Sequence, residues 1–174
     1  MTLQEALKRV RYPLLEDYEG YWTDEELTTY LNEGNRIFHV NRGISQKWEI
    51  SIPDDTTEVG INLTAQNIRS LTYNGTPISA TISNQTLHFS TPLKAGTLAW
   101  IGDRPPKDVV NATDKFEINP AFEQAIIDYA DYKAMLKDND PRATAFFSNF
   151  LMYKNAWEQY NYADSHQIQQ TKEW

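Results

Sequence analysis

The stretch that decides the fold runs from Asn119 to Asn161, NPAFEQAIIDYADYKAMLKDNDPRATAFFSNFLMYKNAWEQYN. It reads as two helices joined by a short acidic turn. Asn119 can cap the first helix through its side-chain oxygen. Pro120 suits the first helical position, where a backbone N–H would be unpaired anyway. Ile126, Tyr129, Ala130, Lys133 and Leu136 then share one face, with Phe122 and Met135 at its border. Asp138-Asn139-Asp140-Pro141 ends that helix and starts the next, Asp140 as cap and Pro141 as first residue. Phe146, Phe150, Tyr153, Trp157 and Tyr160 follow at alternating spacings of four and three, an aromatic stripe of helical period that a core-facing helix carries.

Working back towards the start, Leu3, Ala6, Leu7 and Val10 mark a first short helix that Pro13 ends. Thr23 followed by Glu26 is a capping-box signal, and Trp22 with Leu27 suits a hydrophobic staple across it. That second helix continues through Leu31, Ile37 and Phe38. Gly34 inside it costs about 1 kcal/mol against alanine, which implies a close packing contact. After Gly43 the apolar period changes from 3.6 to 2. Trp48, Ile50 and Ile52 alternate with polar residues, and so do Val59, Ile61 and Leu63. Asn74-Gly75 is a two-residue hairpin signal, Asn84-Gln85 a softer one, and Thr97 to Ile101 a last strand.

These signals give an α+β expectation: a bundle of about four helices, closed by a long C-terminal helical hairpin, with a small antiparallel β module inserted. The boundaries read as 1–43 and 117–163 for the bundle, 44–103 for a meander of four to six strands, 104–116 for an extended connector, and 164–174 for a polar tail. Ile168 and Trp174 are the tail's only large apolar groups. A segment of that kind either orders on a partner or simply frays. Likewise the tips at Asn74, Gly75, Asn84 and Gln85 are either contact points or merely good turns.

Composition excludes more than it selects. The chain has 174 residues and a net charge of −8, which argues against binding nucleic acid through a basic face. Its longest basic cluster, Lys8, Arg9 and Arg11, reads as a solvated helix face. With no cysteine, disulfides and thiolate metal sites are excluded. No apolar run approaches the roughly 20 residues of a bilayer span, and MTLQEALKRVRYPL lacks the apolar core of a signal peptide, so the expectation is a protein used without secretion and away from membranes. His39, His88 and His166 lie in separate elements without ligand spacing, and no metal site is expected. Asp131, Asp138 and Asp140 lack the glycine and distal glutamate of a calcium loop. Phosphate-cradling glycine runs and nucleophile motifs are absent, and a carboxylate pair such as Glu58 with Asp103 is one of many in an acidic chain. No catalytic residue, cofactor or enzymatic activity is expected.

The order of several short motifs resembles the head-to-tail adaptor (connector) proteins of tailed bacteriophages. The residues that carry the likeness are Trp22-Thr23-Asp24-Glu25-Glu26-Leu27 running into Tyr30-Leu31-Asn32-Glu33-Gly34, Tyr73-Asn74-Gly75-Thr76-Pro77-Ile78, Gly96-Thr97-Leu98-Ala99-Trp100-Ile101-Gly102, Pro120 through Ile126, and Tyr129-Ala130 with Leu136 through Asp140 ahead of a long aromatic helix. The resemblance implies a structural virion protein of the neck, assembled in the host cytoplasm. Such adaptors form a closed homo-oligomeric ring, usually of about twelve copies, beneath the portal protein, and join capsid to tail. The C-terminal segment grips the portal, which here points to Asp164, His166, Gln167, Ile168 and Trp174. The β module meets the tail tube, nozzle or stopper, which points to Asn74, Gly75, Asn84 and Gln85. Viral DNA passes through the lumen without sequence-specific contacts. A tail-completion or stopper protein of the same neck is the first rival reading. A carbohydrate-binding or hydrolytic β module is the second; exposed aromatics such as Trp48 or Trp100 on one sheet face would favour it, although both share the parity of neighbouring apolar residues, which argues for burial.

Overall fold

The computed structural model describes residues 1–15, 20–41, 43–61 and 68–170, with side chains as far as Gln159. The described residues fall into two compact units. One takes the chain up to Asn41 and again from Pro106, and the other takes the stretch between, up to Pro105.

In the first unit, α1 (Leu3–Arg11) opens with a complete capping box: Glu5 N–H donates to Thr2 Oγ1 at 3.3 Å, and Thr2 N–H donates to Glu5 Oε2 at 2.8 Å. α2 (Asp24–Phe38) is capped by Thr23, which accepts from the Glu26 N–H at 3.1 Å. The second half of that box does not form, because the Glu26 carboxylate turns to Tyr30 and Lys137. A single 3-10 turn, Pro120–Phe122, capped by Asn119, leads into α3 (Glu123–Lys137). Asn139, with φ 56°, closes α3: its N–H donates to Leu136 C=O and the Asp140 N–H to Met135 C=O, the paired bonds of a Schellman motif. Then α4 (Ala143–Gln170) runs for 28 residues, about 42 Å at helical rise.

α3 is the central helix. Ala125 through Asp131, Ala134 and Met135 are all buried, since α1, α2 and α4 each pack against it. Gly34 of α2 sits against the Tyr129 ring, where a Cβ would come within 2.9 Å, so the glycine is a close-approach residue. Leu136, expected in the core, is half-exposed, and Met135 takes the buried place instead. The extended connector is fastened to α2 by a reciprocal pair: Asn32 Nδ2–H donates to Val109 C=O at 2.9 Å, and Val109 N–H donates to Asn32 Oδ1 at 3.0 Å.

In the second unit, the strands are β1 (Ile44–Ile52), β2 (Thr56–Gly60), β3 (Ile68–Tyr73), β4 (Thr76–Pro77), β5 (Thr81–Ser83), β6 (Thr86–Leu93) and β7 (Gly96–Arg104). They form two antiparallel sheets, ordered β1-β7-β3-β4 and β2-β6-β5. β1 and β7 pair along their whole length, from Ile44 opposite Arg104 to Ile52 opposite Gly96. This unit has its own core of Ile52, Val59, Ile61, Leu87, Phe89, Leu98 and Trp100.

These elements correct the expected fold. The described residues are α+β, with four α-helices and seven strands in two antiparallel sheets, not a helical bundle carrying a small β insert. Strands dominate the N-terminal half, and the long helical hairpin lies C-terminal. The β part is larger than a small meander because two sheets are assembled from strands distant in sequence, β1 with β7 above all. Gly60 ends β2 inside the ladder. Pro92 lies within β6, where the register against β2 is irregular between Thr56 and Glu58, so its missing donor falls outside a regular ladder.

Candidate functional site

α4 presents two unlike faces. Its inner face seals the helical core: Phe150 is 1% exposed, its ring centroid 5.0 Å from Tyr129, edge to face. Trp157 lies over Phe38 at 5.8 Å, nearly parallel, and meets Phe122 edge-on at 5.3 Å. Phe147, which the aromatic stripe read from spacing omits, joins through Tyr132 at 4.6 Å. The opposite face carries Ser148, Leu151, Met152, Asn155, Ala156 and Gln159 along a shallow groove, with Met152 58% exposed. On the flank between them, Lys154 donates to Glu158 at 2.5 Å, and Asn41 donates to the same oxygen at 2.8 Å. Lys154 first and Asn41 second hold the Glu158 carboxyl below its usual range.

Of the residues assigned to portal docking, Asp164, His166, Gln167 and Ile168 belong to the backbone of α4, and their side chains lie outside those described; Trp174 lies outside the described residues. Tyr160, the last member of the aromatic stripe, also has no described side chain. The helix thus continues to Gln170, beyond the expected end of regular structure near residue 163.

The residues assigned to tail-side contact are turn residues in different hairpins. Asn74 and Gly75 have φ of 48° and 79° between β3 and β4, the two-residue geometry that favours Asn-Gly. Asn74 also works structurally, its Oδ1 accepting from Thr97 N–H at 2.8 Å. Asn84 and Gln85 take φ of 46° and 63° between β5 and β6, so this turn is as tight as the first, although Gln85 has no glycine-like freedom to suit it.

The strands bring together three residues that spacing alone did not join. Ser83 Oγ lies 2.8 Å from His88 Nε2, and His88 Nδ1 lies 3.2 Å from Glu58 Oε1. The order hydroxyl, imidazole, carboxylate is that of a nucleophile with base and orienting acid. Its surroundings are different. Glu58, His88 and Thr81 are direct cross-strand partners in the β2-β6-β5 sheet, Ser83 is two residues along, and the Glu58 side chain is 65% exposed. In water such a pair gains only about 1 kcal/mol, and an unshielded hydroxyl is not activated by the desolvation that serves a nucleophile. A solvated cross-strand ladder accounts for the geometry.

The other residues weighed for chemistry in the sequence have local structural settings. His39 is buried, its Nδ1 2.9 Å from Asn35 C=O and its ring against Phe38 and Trp157; burial lowers its pKa. Glu58 and Asp103 stand in different sheets with different partners, His88 for one and Arg69 for the other. Asp140 caps the start of the last helical segment, accepting from Arg142 N–H at 2.8 Å. Trp100 is 5% exposed and stacks on the half-buried Trp48 directly opposite, with centroids 6.2 Å apart, so both pack into the core of their unit. Among the described residues, no three His, Cys, Asp or Glu side chains converge as metal ligands, and no helix is long and apolar enough to cross a membrane. No protein-family model matches this chain, and none of the curated proteins matches it.

Proposed function

We propose that the protein is a head-to-tail adaptor of a tailed bacteriophage, a non-enzymatic part of the neck that stacks as a ring under the portal and receives the tail on its other side. The observation that carries this reading is the order of short motifs from Trp22 to Asp140 ahead of a long aromatic helix. Two features support it. α4 is committed to the core on one face only, and its other face, from Ser148 to Gln159, is open to a neighbour. A heterologous contact repeated around an axis closes into a ring when the rotation per subunit matches, and a portal can template that rotation. The net charge of −8 suits a channel wall, because negative charge repels the DNA backbone.

In this reading the portal-facing element is Asp164–Trp174, and the hairpin tips at Asn74-Gly75 and Asn84-Gln85 belong to the tail side. A segment that settles only on its partner carries an ordering cost, so the free protein stays monomeric until a portal offers its surface. Deleting Asp164–Trp174 is expected to leave a folded, soluble protein whose portal binding is weakened at least tenfold, about 1.4 kcal/mol or more. Pull-down by immobilised portal measures it, and undiminished binding of the truncated protein would remove the docking assignment. If a tail-tube protein is bound and the portal is not, the role is that of a stopper or tail-completion protein.

A further inference from the structure

We infer that the cleft where α1, α3 and the start of α4 meet is a docking pocket for one cationic side chain, an arginine or lysine presented by a partner protein. The cleft has a volume of about 310 Å³, with Tyr12, Pro13, Ile127 and Phe146 as walls, Arg9 at its mouth and Asp131 at its base. Asp131 is 1% exposed, and among the described residues its Oδ1 has no hydrogen-bond partner. A buried acceptor left unpaired is costly, which makes it a strong selector for a donor.

The charges around it decide which donor. Asp128, one turn earlier on α3, is 3% exposed and accepts from Gln124 Nε2 at 2.7 Å. From α1, Arg9 is held by Gln124 Oε1 at 2.6 Å, with Glu123 at 3.8 Å. From the turn before α4, Arg142 grips Asp140, with Nη2 at 2.6 Å and Nε at 3.0 Å from its Oδ2, and donates to Pro13 C=O at 3.3 Å. Both neighbouring guanidinium groups are thus directed elsewhere. An anion entering the cleft would bring a second acceptor to Asp131, and an apolar group would leave Oδ1 unpaired. A cation on an aliphatic stem satisfies both parts, its methylenes lying along Pro13, Ile127 and Phe146 and its head reaching Asp131. The exposed Tyr12 ring at the rim offers the aromatic contact that interface anchors favour. The inference is independent of the adaptor reading, since it concerns the chemistry of the entering side chain and not the identity of its bearer.

The test uses the full chain labelled with ¹³C at the aspartate carboxyls and the phenylalanine rings, titrated with N-acetyl-arginine amide and, separately, with its neutral isostere N-acetyl-citrulline amide. The expected result is a saturable shift of the Asp131 carboxyl and the Phe146 ring with arginine, and binding of citrulline weaker by roughly tenfold to a hundredfold. Asp131→Asn is expected to lose the arginine preference while remaining folded. Burial, with the Asp128 charge beside it, pushes the Asp131 carboxyl up to about 9, and Arg142 acts weakly in the opposite direction. A cation selects the ionised form, so arginine binding strengthens as pH rises from about 6 to about 8. Equal binding of arginine and citrulline, or a Phe146 ring shift that survives Asp131→Asn unchanged, overturns the proposal.

Discussion

Replacing Phe150 with alanine lowers the free energy of unfolding by about 3–5 kcal/mol, the usual loss when a large aromatic is truncated in a closed core. The size follows from position. Phe150 is among the largest side chains with almost no exposure, and its ring meets Tyr129 at 5.0 Å and Phe147 at 6.2 Å. Alanine removes those contacts and leaves a cavity that the neighbours cannot easily fill, because Tyr129 is fixed from the other side by Gly34 and by its hydroxyl donating to Glu33 at 2.8 Å. Phe150→Leu keeps most of the volume and is expected to cost less than half as much, roughly 1–2 kcal/mol. Urea denaturation of the three proteins measures both values. An unchanged midpoint for the alanine variant would mean that the inner face of α4 is not core.

Asp131→Asn is expected to act in the opposite direction and to stabilise the protein at neutral pH by about 2–4 kcal/mol. The unfolded carboxyl titrates near its ordinary value of 3.8, while the folded one, raised first by burial and then by Asp128, titrates at about 9. Between those two values the native state holds a proton that the unfolded state has released. Stability therefore falls with rising pH across that window, most of the loss lying between about pH 4 and pH 9. Asparagine is close in shape and does not titrate, so the gap between variant and wild type should close below about pH 4 and widen towards pH 9. Unfolding followed at several pH values measures this. A gap that stays constant with pH would show that Asp131 is ionised or solvated in the folded protein.

The two cases mark where the sequence was legible. Local rules carried well: Thr23 caps α2, Asn119 and Pro120 open the turn before α3, Gly34 marks a close approach, and Asn74-Gly75 makes its hairpin. Each depends on residues within a few positions of one another. Thr2 and Glu5 carry the same capping signal as Thr23 and Glu26 and could have been read in the same way. What was not legible depends on distant partners. The pairing of β1 with β7 joins residues some fifty positions apart, and nothing local divides seven strands into two sheets. That is why a small module on a helical bundle was expected and a larger two-sheet unit is found.

The same limit applies to the surfaces. Asp128 and Asp131 look like solvent-facing residues on a helix read alone, and become buried only because α3 is covered by three helices. Ser83, His88 and Glu58 meet only through strand register. The uncovered face of α4 was hidden for the opposite reason: Ser148, Asn155, Ala156 and Gln159 are weak signals, and spacing drew attention to the aromatic face that the core consumes.

If the adaptor reading holds, the source genome also encodes a portal protein, and co-expression with it, followed by negative-stain imaging of the purified complex, is the most direct test. The expected image is a second ring stacked on the portal and sharing its copy number. A portal that purifies alone, with this protein left monomeric in the flow-through, would contradict the reading.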